Sequence, residues 1–559
     1  MAVLVFLLLA VGCGPQNQPA QQGGSEAQRP TTRTRITAAI LGDPATLSAT
    51  VNTAGTGGQP GVEEVERLIH VGLSVGDDRG GLRPALGEAV PSLENGLWRV
   101  LPDGRMDMTW RIKPDARWQD GTPMTAGDLL FTVQVGQDKD VPLLRAPAYN
   151  ALDSVEALDP RTVVVKWREP YIWADNMFSA SGTGRPALAM PLPKHLLEAT
   201  FQSDKARFMD LPYWTEEFVG AGPYRVREWM RGSHLVMQAN DGYIFGRPKI
   251  DEIEVRFIPD ANTMVANILA GEVDLVVGRG FSIDAGVELR ERWRGGQVEF
   301  PFSSWVALYP QAINPNPAIV GNAEFRRALL HAVDRQEMAQ SIQHGLVPVA
   351  HSIVDPEDPM YRDVERSTAV YDYDPRRATD MIAQLGVARG ADGAFALPTI
   401  EIRAAGTEGD ASNKGMFIVG DFWKRVGLAV DTVQIPRQRR ADLEYRANHP
   451  GFTIQRQPNN EEGMLRFHSR EAPVPENNYV GDNKGRYMNP EIDALIERYF
   501  LTIPRAERGQ LAGRIVQHLT SQVVPLGLFY DAAPVVIGNR VSNVVPRMVG
   551  WNVHEWQAR

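Results

Sequence analysis

Residues 253–277 constrain the fold more than any other stretch of the chain. The run 253–258 alternates and is β-branched, and Asp260 stands where a helix N-cap belongs. The segment 262–269 has helical periodicity that closes on Gly271, and 272–277 returns to a strand pattern. Strand, helix and strand at this spacing make a crossover unit, which joins strands running parallel. The expected fold class is therefore α/β. Other segments agree. Residues 35–40 read as a first strand ended by Gly42-Asp43-Pro44, and 154–158 and 163–167 pair around Asp159-Pro160-Arg161-Thr162. A further pair is expected at 224–229 and 235–239. Thr125 with Asp128 three residues on predicts a capped helix with Leu129, Leu130 and Val133 on its apolar face. Helices are also expected at 62–73, 324–344, 375–385 and 490–500.

A chain of 559 residues is long enough for about three to four domain-sized units. Its 58 basic and 68 acidic side chains leave a net charge of −10, which argues against nucleic acid as a partner. The single cysteine excludes an intrachain disulfide framework and any zinc site built from several thiolates. That cysteine has its own explanation. Residues 3–11 form an apolar run ending in Ala10-Val11-Gly12-Cys13, too short to span a bilayer but fitted to the core of a signal peptide at 1–12. Cys13 at that junction resembles the bacterial lipobox, whose cysteine is diacylated and becomes the first residue of the mature chain. Residues 13–30, rich in Gln, Pro, Gly and Ser, then read as the anchor and a flexible tether. The location implied is extracytoplasmic, periplasmic or on the outer cell surface.

Catalytic patterns are scarce. Gly72-Leu73-Ser74-Val75-Gly76 matches a nucleophile elbow, but helical rather than strand character precedes it, so a serine hydrolase using Ser74 is the weaker alternative. No Gly-Lys dipeptide occurs, so a phosphate-cradling loop with its lysine cannot be built. None of the ten histidines stand four apart as a zincin pair would, and His331, His344 and His351 read as ordinary imidazoles. The expectation is a protein with no catalytic residue, no metal site and no cofactor.

Several ordered segments resemble the extracellular solute-binding proteins of family 5, the oligopeptide, dipeptide and nickel receptors of ABC importers. Trp110-Arg111-Ile112-Lys113-Pro114-Asp115-Ala116-Arg117-Trp118-Gln119-Asp120-Gly121-Thr122-Pro123 is similar to the family's signature strand and turn. Gly220-Ala221-Gly222-Pro223-Tyr224, Pro259-Asp260-Ala261-Asn262, Gly271-Glu272-Val273-Asp274, Arg326-Arg327-Ala328-Leu329 and Asn489-Pro490-Glu491-Ile492 follow in the family's order. The resemblance implies a two-lobed periplasmic-binding-protein fold, type II-like with an extra inserted subdomain, closing by a hinge. Mapped here, lobe one is 31–75, 215–300 and 525–559, the insertion is 76–214 and lobe two is 301–524, with chain crossings near 301 and 525. It also implies a small-molecule or peptide ligand, ABC permease subunits with cytoplasmic ATPase subunits as partners, a membrane reached through Cys13, and a monomer.

In peptide-binding members an acidic residue of lobe two pairs with the ligand's amino group, whereas here 451–462 departs from that pattern. The candidate substrate contacts are Trp305, Arg456, Gln457, Asn459 and Glu461. Arg456 suits a ligand carboxylate or other anion, and Glu461 or Glu462 suits an amine in a shifted register. The competing readings are a solvated loop for these charges and simple core packing for Trp305. A non-peptide solute such as a metal chelate, oligosaccharide or opine-like compound stands as the alternative ligand class.

Overall fold

The computed structural model describes residues 33–49, 51, 61–141, 148–179, 190–405 and 411–559, without the side chain of Ser303. The signal segment expected at 1–12, and the anchor and tether at 13–30 with Cys13, lie outside the described residues. Strand Arg35–Ile40 lies in the middle of a seven-stranded sheet. The sheet order is Gly296–Glu299, Val535–Gly538, Leu275–Val276, Arg35–Ile40, Glu252–Phe257, His234–Ala239, Tyr224–Met230. Arg35–Ile40 runs parallel to both Glu252–Phe257 and Leu275–Val276. The crossover is thus present, with helix Ala261–Leu269 as its connection and the first strand seated between the two strands it joins. Its cap is the expected one: the Thr263 N–H donates to Asp260 Oδ1 at 2.7 Å.

A second, five-stranded sheet runs Val430–Gln434, Ile400–Ala404, Phe452–Pro458, Phe302–Pro310, Leu526–Ala532. The chain passes between the two sheets twice, and the two passages lie side by side. Gly296–Glu299 pairs antiparallel with Val535–Gly538 in one sheet, and Phe302–Pro310 pairs antiparallel with Leu526–Ala532 in the other. Between them the Ala533 N–H donates to the Pro301 carbonyl at 2.9 Å. A two-stranded ribbon therefore links the sheets. Strand Leu526–Ala532 belongs to the second sheet, so the return passage falls at Ala533-Pro534 rather than near 525. The strand is buried along its whole length, and a largely apolar run gives no local sign of which sheet takes it.

The architecture is a two-lobed α/β fold. Residues 34–559 form one compact unit. A four-stranded antiparallel sheet, Trp98–Val100, Met106–Arg111, Thr162–Trp167, Leu152–Asp159, carries the middle of the region expected as an insertion. Helix Ala126–Gln137 packs beside it behind the predicted cap, in which the Thr125 N–H donates to Asp128 Oδ2 at 2.8 Å. Apolar side chains of this region and of the five-stranded sheet form one continuous core, while the seven-stranded sheet has two, one shared with Phe131, Leu197 and Phe201 of the inserted region and one packed with Met264 and Ile268 of helix Ala261–Leu269. The helix expected over 324–344 is two helices, Ala323–His331 and Arg335–Gln343. Asp334 divides them because its carboxylate caps the second, accepting the Glu337 N–H at 2.9 Å. Among the described residues, no helix is long and apolar enough to cross a membrane.

Candidate functional site

A cavity of about 590 Å³ opens between the two sheets, in the range of small-ligand sites. The linking ribbon supplies Pro301, Phe302, Ser304, Ala533 and Val535. Glu63, Glu64 and Arg67 of helix Val62–Ile69, with Gly278, Arg279 and 546–549, face it from the seven-stranded sheet's side. Asp77, Asp78 and Gly80 follow strand Ser74–Gly76. The five-stranded sheet's side presents Asp355, Asp358, Pro359, Arg456 and 458–460. Gly278 fixes one wall. It has φ +71°, and a Cβ there would stand 2.6 Å from the backbone nitrogen of Gly61, so only glycine lets the loop carrying Arg279 close against the start of helix Val62–Ile69.

Two buried carboxylates organise the charges. Asp531, 3% exposed in strand Leu526–Ala532, accepts from Gln343 Nε2 at 2.8 Å on Oδ1. Its Oδ2 accepts from Arg279 Nη2 at 2.7 Å and from Arg456 Nε. Asp355 accepts the Glu357 N–H at 2.8 Å and Asn459 Nδ2 at 2.6 Å, with Arg547 Nη2 at 4.0 Å. Burial pushes the Asp355 carboxyl up to about 6, although the Glu357 N–H and Arg547 pull the other way. Burial likewise raises Asp358 and Glu64. Asp77 moves the other way: burial acts upward on it, but the Gly81 N–H and the Arg83 guanidinium outweigh that and hold it low. Asn459, 4% exposed, has no hydrogen-bond partner for its Oδ1. The five-stranded sheet's side of the cavity thus offers acceptors, suited to an ammonium or guanidinium group.

The expected contacts separate into three groups. Arg456 and Asn459 lie on the cavity wall. Glu461 lines an adjoining space of about 90 Å³, and both of its oxygens are engaged. Trp173 Nε1 donates to Oε2 at 2.8 Å, the Tyr499 hydroxyl donates to Oε1, and Arg508 Nε stands 3.5 Å from Oε1. Gln457, the next residue after Arg456 on the strand, is not on the cavity wall and donates from Nε2 to Gln455 Oε1 at 3.3 Å. Trp305, expected as the aromatic contact, is instead 2% exposed within the core of the five-stranded sheet. The aromatic side chain on the wall is Phe302, stacked on Tyr530 with ring centroids 5.3 Å apart. The residues missed in sequence are Arg279, Asp355, Asp358 and Asp531. For Asp531 a signal existed, since it is a lone carboxylate in an otherwise apolar strand, and such a group needs buried partners.

Ser74 is fully buried, and its hydroxyl bonds the hydroxyl of Ser179. It stands on strand Ser74–Gly76 paired with Leu82–Pro84, not on a strand-to-helix turn. Its neighbour Ser179 supplies no general base of the kind a nucleophilic serine requires.

The model of the bacterial extracellular solute-binding proteins, family 5 (middle), matches residues 88–465, more than half of the chain. The oligopeptide-binding protein AppA of Bacillus subtilis is 24% identical over 390 residues, 69% of this chain and 65% of that protein. A putative ABC transporter peptide-binding protein of Brucella ovis is 25% identical over 56% of this chain and 54% of its own length. The matched stretches thus span less than two thirds of these relatives. Among solved structures, the oligopeptide-binding protein of Thermus thermophilus, complexed with a pentapeptide, superposes with a TM-score of 0.67 at 23% identity, covering 94% of this chain and 96% of that one. NikA of Brucella suis, in complex with Fe(III)-EDTA, gives 0.74 at 18% identity, covering 94% and 100%. The fold is common to these solved structures, and the family match takes in the inserted sheet and Arg279, Asp355, Asp358 and Arg456 of the cavity wall: the chain belongs to the bacterial extracellular solute-binding proteins, family 5.

Proposed function

We propose that this chain is the lipid-anchored substrate-binding protein of an ABC importer, closing two lobes around a peptide or peptide-like solute and delivering it to a membrane permease. Members of the family are binding proteins rather than enzymes. The observation that carries the reading is the cavity of about 590 Å³, walled by both sheets and by the ribbon that links them. A solute touching both walls binds the closed arrangement better than the open one, which makes ligand binding and closure one equilibrium. The lobes are taken as 31–75, 215–300 and 534–559 against 301–533, with 76–214 inserted in the first. In place of the acidic residue expected within 451–462, Asp355 and Asp358, with the unpartnered Asn459 Oδ1, receive the amino group of the solute. The oligopeptides named for two of the relatives carry an amino group that suits these acceptors.

A mixed peptide digest is expected to raise the melting temperature of the purified protein, because a ligand of the folded state stabilises by mass action, roughly 3 kcal/mol at a hundredfold excess over Kd. No shift with peptides, but a shift with Fe(III)-EDTA or a nickel–histidine chelate, would replace the peptide by a metal chelate that carries carboxylates. That second reading is favoured by the arginines on the wall and by solved neighbours that hold such chelates. Anchoring is tested separately: Cys13→Ser is expected to release the protein from the membrane fraction, and an unchanged fraction contradicts the anchor.

A further inference from the structure

The two sheets' lobes also meet outside the cavity, at one carboxylate. Asp284 stands in the first turn of helix Ile283–Arg292, on the side of the seven-stranded sheet. Its Oδ1 accepts from His344 Nε2 at 2.8 Å, and its Oδ2 accepts from Lys414 Nζ at 2.6 Å. Both donors come from the side of the five-stranded sheet: His344 closes helix Arg335–Gln343, and Lys414 stands near the start of helix Ala411–Arg425. None of the three lines the cavity. Burial acts upward on the Asp284 carboxyl, but Lys414 and His344 outweigh it and hold the group low. Both donors stand where local preference argues against them. His344 has φ 52° and ψ 26°, the left-handed conformation at a helix C-terminus that favours glycine. Lys414 puts a positive charge near a helix N-terminus, where the macrodipole favours a negative one. Local conflicts of this kind mark positions held by a wider requirement, and here both side chains end on the same carboxylate across the lobes.

We propose that Asp284, His344 and Lys414 form a latch between the lobes, which favours the arrangement in which both walls reach the solute and so sets affinity from outside the cavity. The inference rests on closure of the lobes around a solute. A contact made in the closed arrangement and lost in the open one adds its free energy to the population of the closed form, and thereby to the apparent affinity. The three side chains keep 50%, 37% and 35% of their surface exposed, so each pair acts as a surface ion pair does and changes affinity by a few-fold at most.

The test uses the full-length protein and reads binding of a casein peptide digest by titration calorimetry, with the radius of gyration of the ligand-free protein by small-angle X-ray scattering. Asp284→Lys replaces two attractions by two repulsions and is expected to weaken binding about fivefold or more and to enlarge the ligand-free protein. His344→Gly gives the left-handed position its preferred residue and removes one donor, so it is expected to melt no lower than the wild type while binding about twofold more weakly. A residue that only supported the fold would move stability and affinity together. Combining Asp284→Lys with Lys414→Asp rebuilds one pair in reverse and is expected to recover most of the loss. Single variants that bind and scatter as the wild type does overturn the latch, and so does a double variant that recovers nothing. If the wild type binds no digest, the peptide reading fails and scattering alone decides the latch. Expansion in Asp284→Lys that the double variant reverses then supports it, and no expansion, or expansion that is not reversed, overturns it.

Discussion

Asp355→Asn is expected to melt at a higher temperature than the wild type at pH 7.5 and to bind an amine-bearing solute at least tenfold more weakly. Asp355 is buried, and burial raises its carboxyl from the ordinary 3.8 to about 6. A carboxyl raised in the folded state is one whose ionised form folding disfavours. Its penalty is fully present above pH 6 and fades as pH falls toward 4, so lowering the pH stabilises the wild type through this group. The rise from 3.8 to about 6 corresponds to roughly 3 kcal/mol, and the neutral amide escapes that penalty at pH 7.5. The amide also supplies a donor to Asn459, whose Oδ1 has no partner. The gain is expected to shrink at pH 5, where the wild-type carboxyl is already protonated. Glu64 and Glu66 are raised by burial as well, but both remain in the variant, so the difference between the two proteins isolates Asp355. Melting curves at the two pH values check this, and an Asn variant that melts lower at pH 7.5 contradicts it.

The second large effect lies at the contact between the inserted region and the five-stranded lobe. Trp173 is buried, packs on Phe500 with ring centroids 5.1 Å apart, and donates to Glu461 at 2.8 Å. Trp173→Ala removes a whole buried indole and is expected to cost about 3–5 kcal/mol. Trp173→Phe keeps most of the ring contact and removes the donor from a partly buried carboxylate, at about 1–3 kcal/mol. Melting and limited proteolysis distinguish the two, with the alanine variant cleaved first in 76–214. If alanine and phenylalanine variants melt alike, the hydrogen bond rather than the packing holds this contact.

What the sequence made legible was local. The cap at Asp260, the capping box at Thr125 and the strand at 35–40 each rest on residues a few positions apart, and each is present. The cavity and the contact beside it are assembled from pairs far apart in the chain. Asp531 meets Arg279 across 252 positions, Trp173 meets Glu461 across 288, and Asn459 meets Asp355 across 104. No periodicity encodes such pairs. Trp305 illustrates the limit within one strand: Phe302–Pro310 is an interior strand of its sheet with buried residues on both faces, so alternation cannot say which side chain meets the cavity. The failure at 324–344 was of another kind. Asp334 was a readable cap, but apolar spacing on either side of it runs on as though the helix were continuous.

The central claim is that the solute lies between the two sheets and touches both. Amide hydrogen exchange of the protein with and without a bound peptide digest tests it most directly. The account predicts slowed exchange in 277–280 and 299–304 together with 355–360 and 454–461. Binding that slows exchange on one sheet alone, or in none of these segments, would contradict it.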